Sequence, residues 1–314
     1  MKLSLMTDIV LLITDILTAT VYQKKRSKKY VIGGEQIMRS KKLKSGKSTH
    51  ILEIILLIFV ILTIAPIYIM IVTSLKDQNQ IVTNFWGFAT APHWENFAKA
   101  WSVISKYVVN SFIITPAICI GVVAVSVFAG YAFAKLELPA KEVLFTVVMM
   151  FQMIPIGLLL IPMYLNVLSM HLNDTYLGVI LPGISAGSIV ATVLSRSFFE
   201  GIPDSIFEAA RIDGANEIRI VMRMVLPISL PIVGTIFLQT FFSKFNEFMW
   251  PFIVLSSDKM RTIPVGLNQL AGQYGLDYGL QMAAYCIVSI PLIALIVCTM
   301  KIYIGGATMG AVKE

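Results

Sequence analysis

A small group of polar residues, Lys244, Asn246 and Glu247, interrupts an apolar stretch late in the chain. Lys244 and Glu247 are three residues apart, so on a helix their side chains occupy neighbouring positions and can form an ion pair. Charged residues within a membrane-spanning stretch mark the path of a transported solute in some proteins and a structural pair in others. Both interpretations stay open for Lys244 and Glu247.

Other polar side chains in apolar stretches could line a cavity for a solute. Gln152, Tyr164 and Gln239 lie in such stretches, and together with Asn246 and Glu247 they are the candidate residues of a translocation path. A hydrogen bond between packed helices is the more common role for such groups.

Residues that carry covalent or metal chemistry are few and widely separated. Sequence signs of a zinc site or a disulfide framework are a CxxC spacing or a Cys/His companion, and none of the cysteines has either. The three cysteines lie singly in apolar stretches and the three histidines lie at their edges, at Cys119, Cys286, Cys298, His50, His93 and His171. This distribution argues against an intramembrane enzyme, and we expect no catalytic residue and no metal site.

Residues 45–49 resemble the end of a phosphate-binding P-loop. The P-loop needs a glycine five positions before Gly46, and Lys41 stands there. An apolar run also begins directly afterwards, at Ile51. We therefore expect that the chain binds no ATP itself and carries no cofactor.

The most informative stretch is a charged segment, residues 199–227, between two apolar runs. Ser205 followed by Glu208 has the spacing of a capping box, which predicts a helix start, and Asp204 suits the positive end of that helix. Gly214 predicts the end of this helix, because glycine readily adopts the left-handed conformation. Residues 216–225 predict a second helix that ends at Leu226-Pro227.

The first helix of this segment offers a small apolar surface for a partner. Its contributors are expected to be Ile206, Phe207, Ala210 and Ile212, and the small side chains of Ala209 and Ala210 would allow a close approach.

Composition indicates an integral membrane protein with an all-α fold. Apolar residues make up 57% of the chain and charged residues only 14%, and the mean hydropathy is +0.79; soluble domains have about 25% charged residues. Six runs are long enough to cross a bilayer. They are residues 51–73, 108–134, 143–168, 176–198, 228–255 and 282–304.

The distribution of Lys and Arg predicts the orientation in the membrane. If the segment before the first run is cytoplasmic, cytoplasmic stretches hold 18 Lys and Arg and the outer loops hold five. Basic residues favour the cytoplasmic side, so both ends of the six-helix core are expected inside the cell. The net charge of +7 is then a signal of topology, and we expect no nucleic-acid partner.

The amino-terminal 37 residues allow three interpretations. Residues 3–21 are apolar, but Asp8 and Asp15 interrupt them, and each aspartate costs about 2.5–3.5 kcal/mol at the centre of a membrane helix. The stretch could be a weak seventh helix, an interfacial helix, or sequence that precedes a translation start at Met38. We interpret residues 1–37 as accessory or non-native, 38–50 as a basic cytoplasmic linker and 51–314 as the six-helix domain.

The segment 199–227 resembles the EAA loop of ABC-importer permeases. That pattern is Glu-Ala-Ala, three residues, Gly, nine residues, Ile, one residue and Leu-Pro. Glu208-Ala209-Ala210, Gly214 and Leu226-Pro227 are in register, and Met224 replaces Ile. Residues 84–88, 245–251 and 305–313 resemble parts of sugar-importer permeases, the last of them the tail of the maltose importer's second permease. The match covers roughly residues 51–314.

The resemblance implies a six-helix permease bundle whose EAA loop is cytoplasmic and contacts an ATPase. The implied contact residues are Ser205, Phe207, Glu208, Ala209, Ala210, Asp213, Gly214, Leu226 and Pro227. The implied partners are a second permease subunit, two ATPase subunits that bind ATP and Mg²⁺, and an extracytoplasmic sugar-binding protein.

The expected function is uptake of a carbohydrate, such as an oligosaccharide or glycoside, across the cytoplasmic membrane by ATP-driven alternating access. The alternative is an importer for a polyamine or a phosphate ester, because the EAA loop does not encode the solute. A secondary transporter is disfavoured, since Glu247 is the one deep carboxylate in the predicted spans and a proton relay needs several.

Overall fold

The computed structural model describes residues 47–273 and 277–311, and every regular element in these ranges is helical. The interpretations of residues 1–37, and of residues 3–21 as a helix, fall outside the described part of the chain. The helices are α1 Lys47–Ser74, α2 Gln78–Thr83, α3 Glu95–Lys135, α4 Lys141–Phe151, α5 Ile156–Ser169, α6 Tyr176–Glu200, α7 Asp204–Ile212, α8 Glu217–Ile228, α9 Leu230–Phe245, α10 Met249–Val254, α11 Ile263–Gln273 and α12 Tyr278–Ala311.

Four helices are long and apolar enough to cross a membrane, and two bent helix pairs raise the number to six if each pair is one span. The four lie in α1, α3, α6 and α12. The first pair is α4 with α5, bent by 96°, and the second is α8 with α9, bent by 81°. Six spans therefore fit the structure. The run 143–168 is not one helix, because α4 and α5 are separate, and the run 228–255 is interrupted after Phe245, where α9 ends before α10 begins at Met249.

Prolines account for both bends. In the first, Pro155 disfavours helical geometry at Ile154, and α5 begins after it. In the second, Ser229 separates α8 from α9 between Pro227 and Pro231, which both lack an N–H. The buried Ser229 hydroxyl donates to the carbonyl oxygens of Val225 (2.6 Å) and Leu226 (3.2 Å). The Ser229 N–H also donates to the Val225 carbonyl at 2.9 Å, so the hydroxyl adds a second donor to that carbonyl and supplies one to Leu226 at the break.

The long helix α3 packs against α6, α9, α11 and α12, and α6 forms the most extensive contact with it. Two glycines of α6 permit this approach. A Cβ atom at Gly183 would lie 2.8 Å from Ile118 Cδ1, and one at Gly187 would lie 2.8 Å from Val122 Cγ2. The Gly183–Gly187 spacing predicts a small-residue packing face, and the structure confirms it.

Buried apolar side chains form three clusters along α3. One cluster joins α3 to α9, α11 and α12, and includes Tyr107 and Phe241. A second joins it to α6 and α10, and includes Ile118 and Trp250. The third surrounds its last turns together with α7 and α8. The helix α3 thus contacts both the loop 255–262 and the segment 199–227.

The start of α3 differs from the prediction. The run at residues 108–134 predicts a helix that opens near Asn110, whereas α3 begins at Glu95 and Asn110 is buried within it. The Asn110 side-chain N–H group donates to the carbonyl oxygens of Lys259 and Arg261, both at 2.8 Å. This polar residue therefore holds a neighbouring loop instead of marking a helix end.

Candidate functional site

The helix α7 begins without the capping box that the sequence predicts. Pro203 stands at the N-cap and provides no side-chain cap, and both Ser205 and Glu208 lie inside the helix with exposed side chains. The Asp204 carboxylate accepts a hydrogen bond from Lys135 Nζ at 2.6 Å. This hydrogen bond lowers the pKa of Asp204 below its usual value. A contact with α3 therefore fixes the start of α7 where the sequence predicts a local cap.

The apolar residues of α7 point in two directions. Phe207 is only 1% exposed and Ala210 only 7%, and both pack into the cluster around the end of α3. Ile212 is 86% exposed, and Ala209 is also exposed. The prediction of one outward apolar surface is therefore wrong, because Phe207 and Ala210 anchor the helix while Ile212 and Ala209 face outward.

The carboxyl end of α7 has the geometry expected from its glycine. Gly214 has φ +79°, as the sequence predicts. Its N–H donates to the Arg211 carbonyl at 3.0 Å, and the next N–H, of Ala215, donates to the Ala210 carbonyl at 3.0 Å. This pair of bonds is a Schellman motif. Asp213 and Gly214 are both exposed, so the turn is accessible to a partner.

The second helix of the segment ends at Ile228, one residue beyond the predicted Leu226-Pro227. Asn216 caps α8, since its side chain accepts a hydrogen bond from the Arg219 N–H at 2.9 Å. The helix then passes through a π-helical turn, Val221–Val225, and continues across Leu226-Pro227 to Ile228. Proline is tolerated there because it begins a new α-helical turn after the π-helical one.

The segment is held to α3 by two polar contacts that the sequence does not indicate. Lys135 Nζ donates to the Ile202 carbonyl oxygen at 2.6 Å as well as to Asp204. The Tyr131 hydroxyl donates to the Glu217 carboxylate, which also pairs with Arg211 at 2.8 Å. The hydrogen bond from Arg211 to Glu217 raises the pKa of Arg211, so its positive charge is fixed. No local motif could have revealed these pairs, because they join residues 67 to 86 positions apart.

Of the two interpretations left open for Lys244 and Glu247, the structure shows the ion pair at the end of α9, with 3.0 Å between Lys244 Nζ and Glu247 Oε2. Both side chains are largely buried. Glu247 lies beyond the helix end, which is at Phe245. A cleft of about 190 Å³ between α6 and α9 is lined by residues that include Lys244, Gln239, Thr240 and Ser243. A smaller neighbouring cleft includes both Lys244 and Glu247.

The five candidate path residues are not all brought together. Gln239 and Glu247 reach the two clefts that share Lys244. Asn246 is exposed and its amide donates to the Phe242 carbonyl at 2.8 Å, so it closes the end of α9. Gln152 is exposed at the α4–α5 bend, and Tyr164 is half-buried in the second apolar cluster. Neither Gln152 nor Tyr164 is among the residues that line these clefts.

The far end of α3 carries a charged cluster that sequence reasoning missed. Asp258 pairs with Lys106, accepts a hydrogen bond from the Tyr107 hydroxyl at 2.6 Å and lies 3.5 Å from Arg261. These interactions, led by the hydrogen bond from Lys106, lower the pKa of Asp258. Lys106 and Tyr107 of α3 lie about 150 residues before Asp258, so no local spacing indicates these two contacts; only the contact of Asp258 with Arg261 joins near neighbours in the sequence.

Comparisons with known proteins agree with this architecture. Residues 84–303 match the family described as binding-protein-dependent transport system inner membrane component. A probable ABC transporter permease, YurM of Bacillus subtilis strain 168, is 31% identical over 83% of this chain and 87% of its own length. The permease AraQ of the same organism, named for arabinooligosaccharide transport, is 28% identical over 81% of this chain and 92% of its own length.

Two further proteins extend the comparison. The permease UgpE of Yersinia pestis bv. Antiqua, named for sn-glycerol-3-phosphate transport, is 28% identical over 81% of this chain and 94% of its own length. Among solved structures, a chain of a bacterial ABC transporter involved in the import of the acidic polysaccharide alginate superposes with a TM-score of 0.71. It is 20% identical and the match covers 83% of this chain and 99% of that one. This superposition supports the fold.

Proposed function

Because the chain belongs to the family of binding-protein-dependent transport system inner membrane components, it is a permease subunit of an ABC importer, and we propose that its solute is a carbohydrate. It is a multi-pass membrane protein without enzymatic activity of its own, since ATP hydrolysis is performed by a separate subunit. The observation that supports the solute class is the similarity over most of the chain to AraQ, a relative named for oligosaccharide transport.

A phosphate ester is the second candidate solute. UgpE, named for sn-glycerol-3-phosphate transport, matches over a comparable length and at the same 28% identity. Substrate names among relatives at this distance therefore favour a polyhydroxylated solute but allow a phosphate on it. Lys244 is a cation beside the larger cleft, but its pairing with Glu247 leaves the pair without net charge, which favours the neutral solute.

The proposed assembly contains this subunit, a second and different permease, two ATPase subunits and an extracytoplasmic solute-binding protein. ATP and Mg²⁺ are bound by the ATPase subunits, and this chain holds no cofactor. Both ends of the six-helix core lie in the cytoplasm, which accounts for the excess of Lys and Arg in the segments that are then internal.

The exposed side of α7 and the turn after it form the ATPase contact. Glu208, Ala209, Asp213 and Gly214 are all exposed there, and Ile212 adds an apolar side chain. Phe207 and Ala210 are buried against the end of α3 and so fix the position of the helix. Leu226 and Pro227 lie where the chain leaves this segment and enters α9. A capped, anchored helix with a small-residue face suits docking into a groove of a partner subunit.

The solute path passes the clefts between α5, α6 and α9. Gln239, Lys244 and Glu247 supply the polar groups, and the remaining lining is largely apolar. Such a wall can bind the hydroxyl groups of a sugar weakly, which transport requires, because a solute that binds tightly is not released. Asn246 holds the last turn of α9 through its hydrogen bond to the Phe242 carbonyl. Gln152 and Tyr164 line neither cleft, and they belong to the solute path only if the second permease subunit extends that path to them.

Reconstitution of the complete importer in proteoliposomes tests the assignment. ATP-dependent uptake of a labelled arabinooligosaccharide is expected, with sn-glycerol-3-phosphate as the competing solute. Each assay contains the extracytoplasmic binding protein that binds the solute under test. Uptake of glycerol phosphate alone would establish the second candidate, and uptake of neither, with an active ATPase, would refute both.

A further inference from the structure

Two residues on the last turns of α3 contact opposite ends of α7. Tyr131 and Lys135 are four positions apart, so they lie on one face of α3 at adjacent turns. Lys135 binds residues at the amino end of α7. Tyr131 reaches the Arg211–Glu217 pair, which joins the carboxyl end of α7 to α8. One helix face therefore holds the whole of α7.

The contact at the amino end is made by a buried cation. The Lys135 side chain is only 5% exposed, and its Nζ donates to the Ile202 carbonyl and the Asp204 carboxylate and lies 5.2 Å from the Phe207 ring centroid. Hydrogen bonds that involve charged groups are stronger than neutral ones and more directional. The Asp204 side chain is 75% exposed, so its own position depends on Lys135.

The contact at the carboxyl end combines a ring and a charge network. The Tyr131 and Phe207 rings lie 5.8 Å apart between centroids. The Tyr131 hydroxyl donates to Glu217, and Glu217 pairs with Arg211 in the last turn of α7. Phe207 thus touches both members of the pair on α3, while each member binds a different end of the segment.

The opposite part of α3 is tied in the same way to an outer loop. Lys106, Tyr107 and Asn110 hold Asp258 and the carbonyls of Lys259 and Arg261. Residues 107 and 131 are separated by about 36 Å along a helix, at 1.5 Å per residue. A single helix therefore has fixed attachments on both sides of the proposed membrane.

We propose that Tyr131 and Lys135 join α7 and α3 into one rigid body, so that α3 carries a displacement of α7 to the outer loop 255–262. This rests on the proposed function, since it assumes that an ATPase moves α7. The covalent neighbours of α7 are poorer transmitters, because the turn at Gly201 and the left-handed Gly214 interrupt the helices before and after it. Tyr131 and Lys135 are positioning residues and contact neither solute nor nucleotide.

The test uses the complete reconstituted importer with Lys135→Met, Tyr131→Phe and the double variant. We expect the ATPase subunits to stay bound and to hydrolyse ATP within about twofold of the wild-type rate. Solute taken up per ATP hydrolysed should fall about fivefold in each single variant and further in the double variant, which is the range of ordinary coupling between sites. Lys135→Arg should restore most of the ratio.

Lys141→Met is the matched control. Lys141 donates to the Leu136 carbonyl at 3.3 Å, and it acts on Asp204 only through its charge, the smallest of the contributions to the lowered Asp204 pKa, so its loss should leave the ratio nearly unchanged. Tyr131→Phe removes one oxygen atom and keeps the ring contact, which preserves a folded variant.

Three outcomes are decisive. A normal ratio in the assembled double variant would overturn the proposal. Loss of the ATPase subunits from the variants would also overturn it, because the pair would then serve docking instead of transmission. Absence of solute uptake by the wild-type importer would instead refute the proposed function, and is seen before any variant is compared.

Discussion

The pair Lys244–Glu247 places two opposite charges in a largely apolar surrounding, with 3.0 Å between Nζ and Oε2. Removal of one partner leaves the other charge without compensation, whereas removal of both leaves none. The side chains are 13% and 25% exposed, so the cost is smaller than the roughly 3–5 kcal/mol of a fully buried pair.

We therefore expect Glu247→Gln to lower the yield and melting temperature of the assembled importer, and Lys244→Met with Glu247→Gln to recover most of the loss. Thermal melting in detergent measures the first effect, and solute-stimulated ATP hydrolysis measures any role in the path. If Glu247 contacts solute, the double variant assembles but stimulation stays low. Equal behaviour of single and double variants in both assays would rule out a pair that matters for folding.

Gly214 adopts φ +79° in open space, so a substitution there is limited by backbone strain and by nothing else. A β-branched side chain at positive φ costs on the order of 1–3 kcal/mol. Gly214→Val should therefore abolish uptake while the subunit still reaches the membrane, because the turn that presents α7 to the ATPase is distorted. Uptake assays beside immunoblots of membranes measure both quantities.

Two variants make the result at Gly214 specific. Gly214→Asn should retain part of the uptake, since asparagine tolerates the left-handed region. Gly157→Val should be harmless, because Gly157 also has open space but has no positive φ. Normal uptake by Gly214→Val at normal expression would exclude the proposed docking turn.

At the scale of elements, the interface between α3 and α6 tolerates an added methyl group better at some positions along its length than at others. A Cβ atom at Gly187 would meet a Val122 methyl group at 2.8 Å, which can rotate away. A Cβ atom at Gly130 would meet Ser195 Cβ at 2.5 Å and the backbone nitrogen of Arg196 at 2.9 Å. Backbone atoms move only if the helices separate.

Gly130→Ala should therefore destabilise the subunit by about 1–3 kcal/mol, and Gly187→Ala by clearly less. The melting temperature of the purified complex measures both, and the two variants add the same methyl group to the same helix pair. A larger loss for Gly187→Ala would show that the helices adjust their backbones more readily than this side chain rotates.

The stability of the loop 255–262 depends on pH through Asp258. Hydrogen bonds from Lys106 and Tyr107 lower its pKa in the folded state. A carboxylate with a lowered pKa stabilises the fold above its unfolded-state pKa of about 3.9, and that contribution is lost as the pH falls through the folded-state value. The protection of residues 256–262 against hydrogen exchange, relative to the intrinsic rate at each pH, should fall below about pH 4, and Asp258→Asn should show low protection already at pH 7.

Sequence patterns predicted where the spans lie but not how they bend. Hydropathy averages over about 20 residues, so the break at Pro155 disappears in it, although the proline was visible, whereas the break at Ser229 lies within two residues of the helix end predicted at Leu226-Pro227. The capping box at Ser205 failed for a different reason, since Lys135, 69 positions earlier in the chain, holds Asp204. Gly214 was predictable because a positive φ depends on the residue itself. Phe207 is buried, contrary to the prediction, because it packs against Tyr131 and the end of α3, which are distant from it in the sequence.

At the scale of the whole molecule, the orientation can be tested directly. A Cys298→Ser background leaves Cys119 and Cys286, which are both buried. In intact cells, a membrane-impermeant thiol reagent should label a cysteine at Asn79 and spare one at Ser205, both exposed positions. Ser205 should become reactive once the membrane is opened. Labelling of Ser205 in intact cells would invert the proposed topology.

The fit between Gly183 and Ile118, and between Gly187 and Val122, also limits how such permeases can recombine. A hybrid gene joined between residues 136 and 140 would take α3 from one parent and α6 from the other. The branched side chains of α3 would then meet an α6 surface whose sequence evolved in another protein. The two helices would fit only if both parents keep branched residues on α3 opposite small residues on α6. Hybrids joined before residue 95 or after residue 200 keep the pair from one parent, so these are the junctions at which solute specificity could be exchanged between relatives.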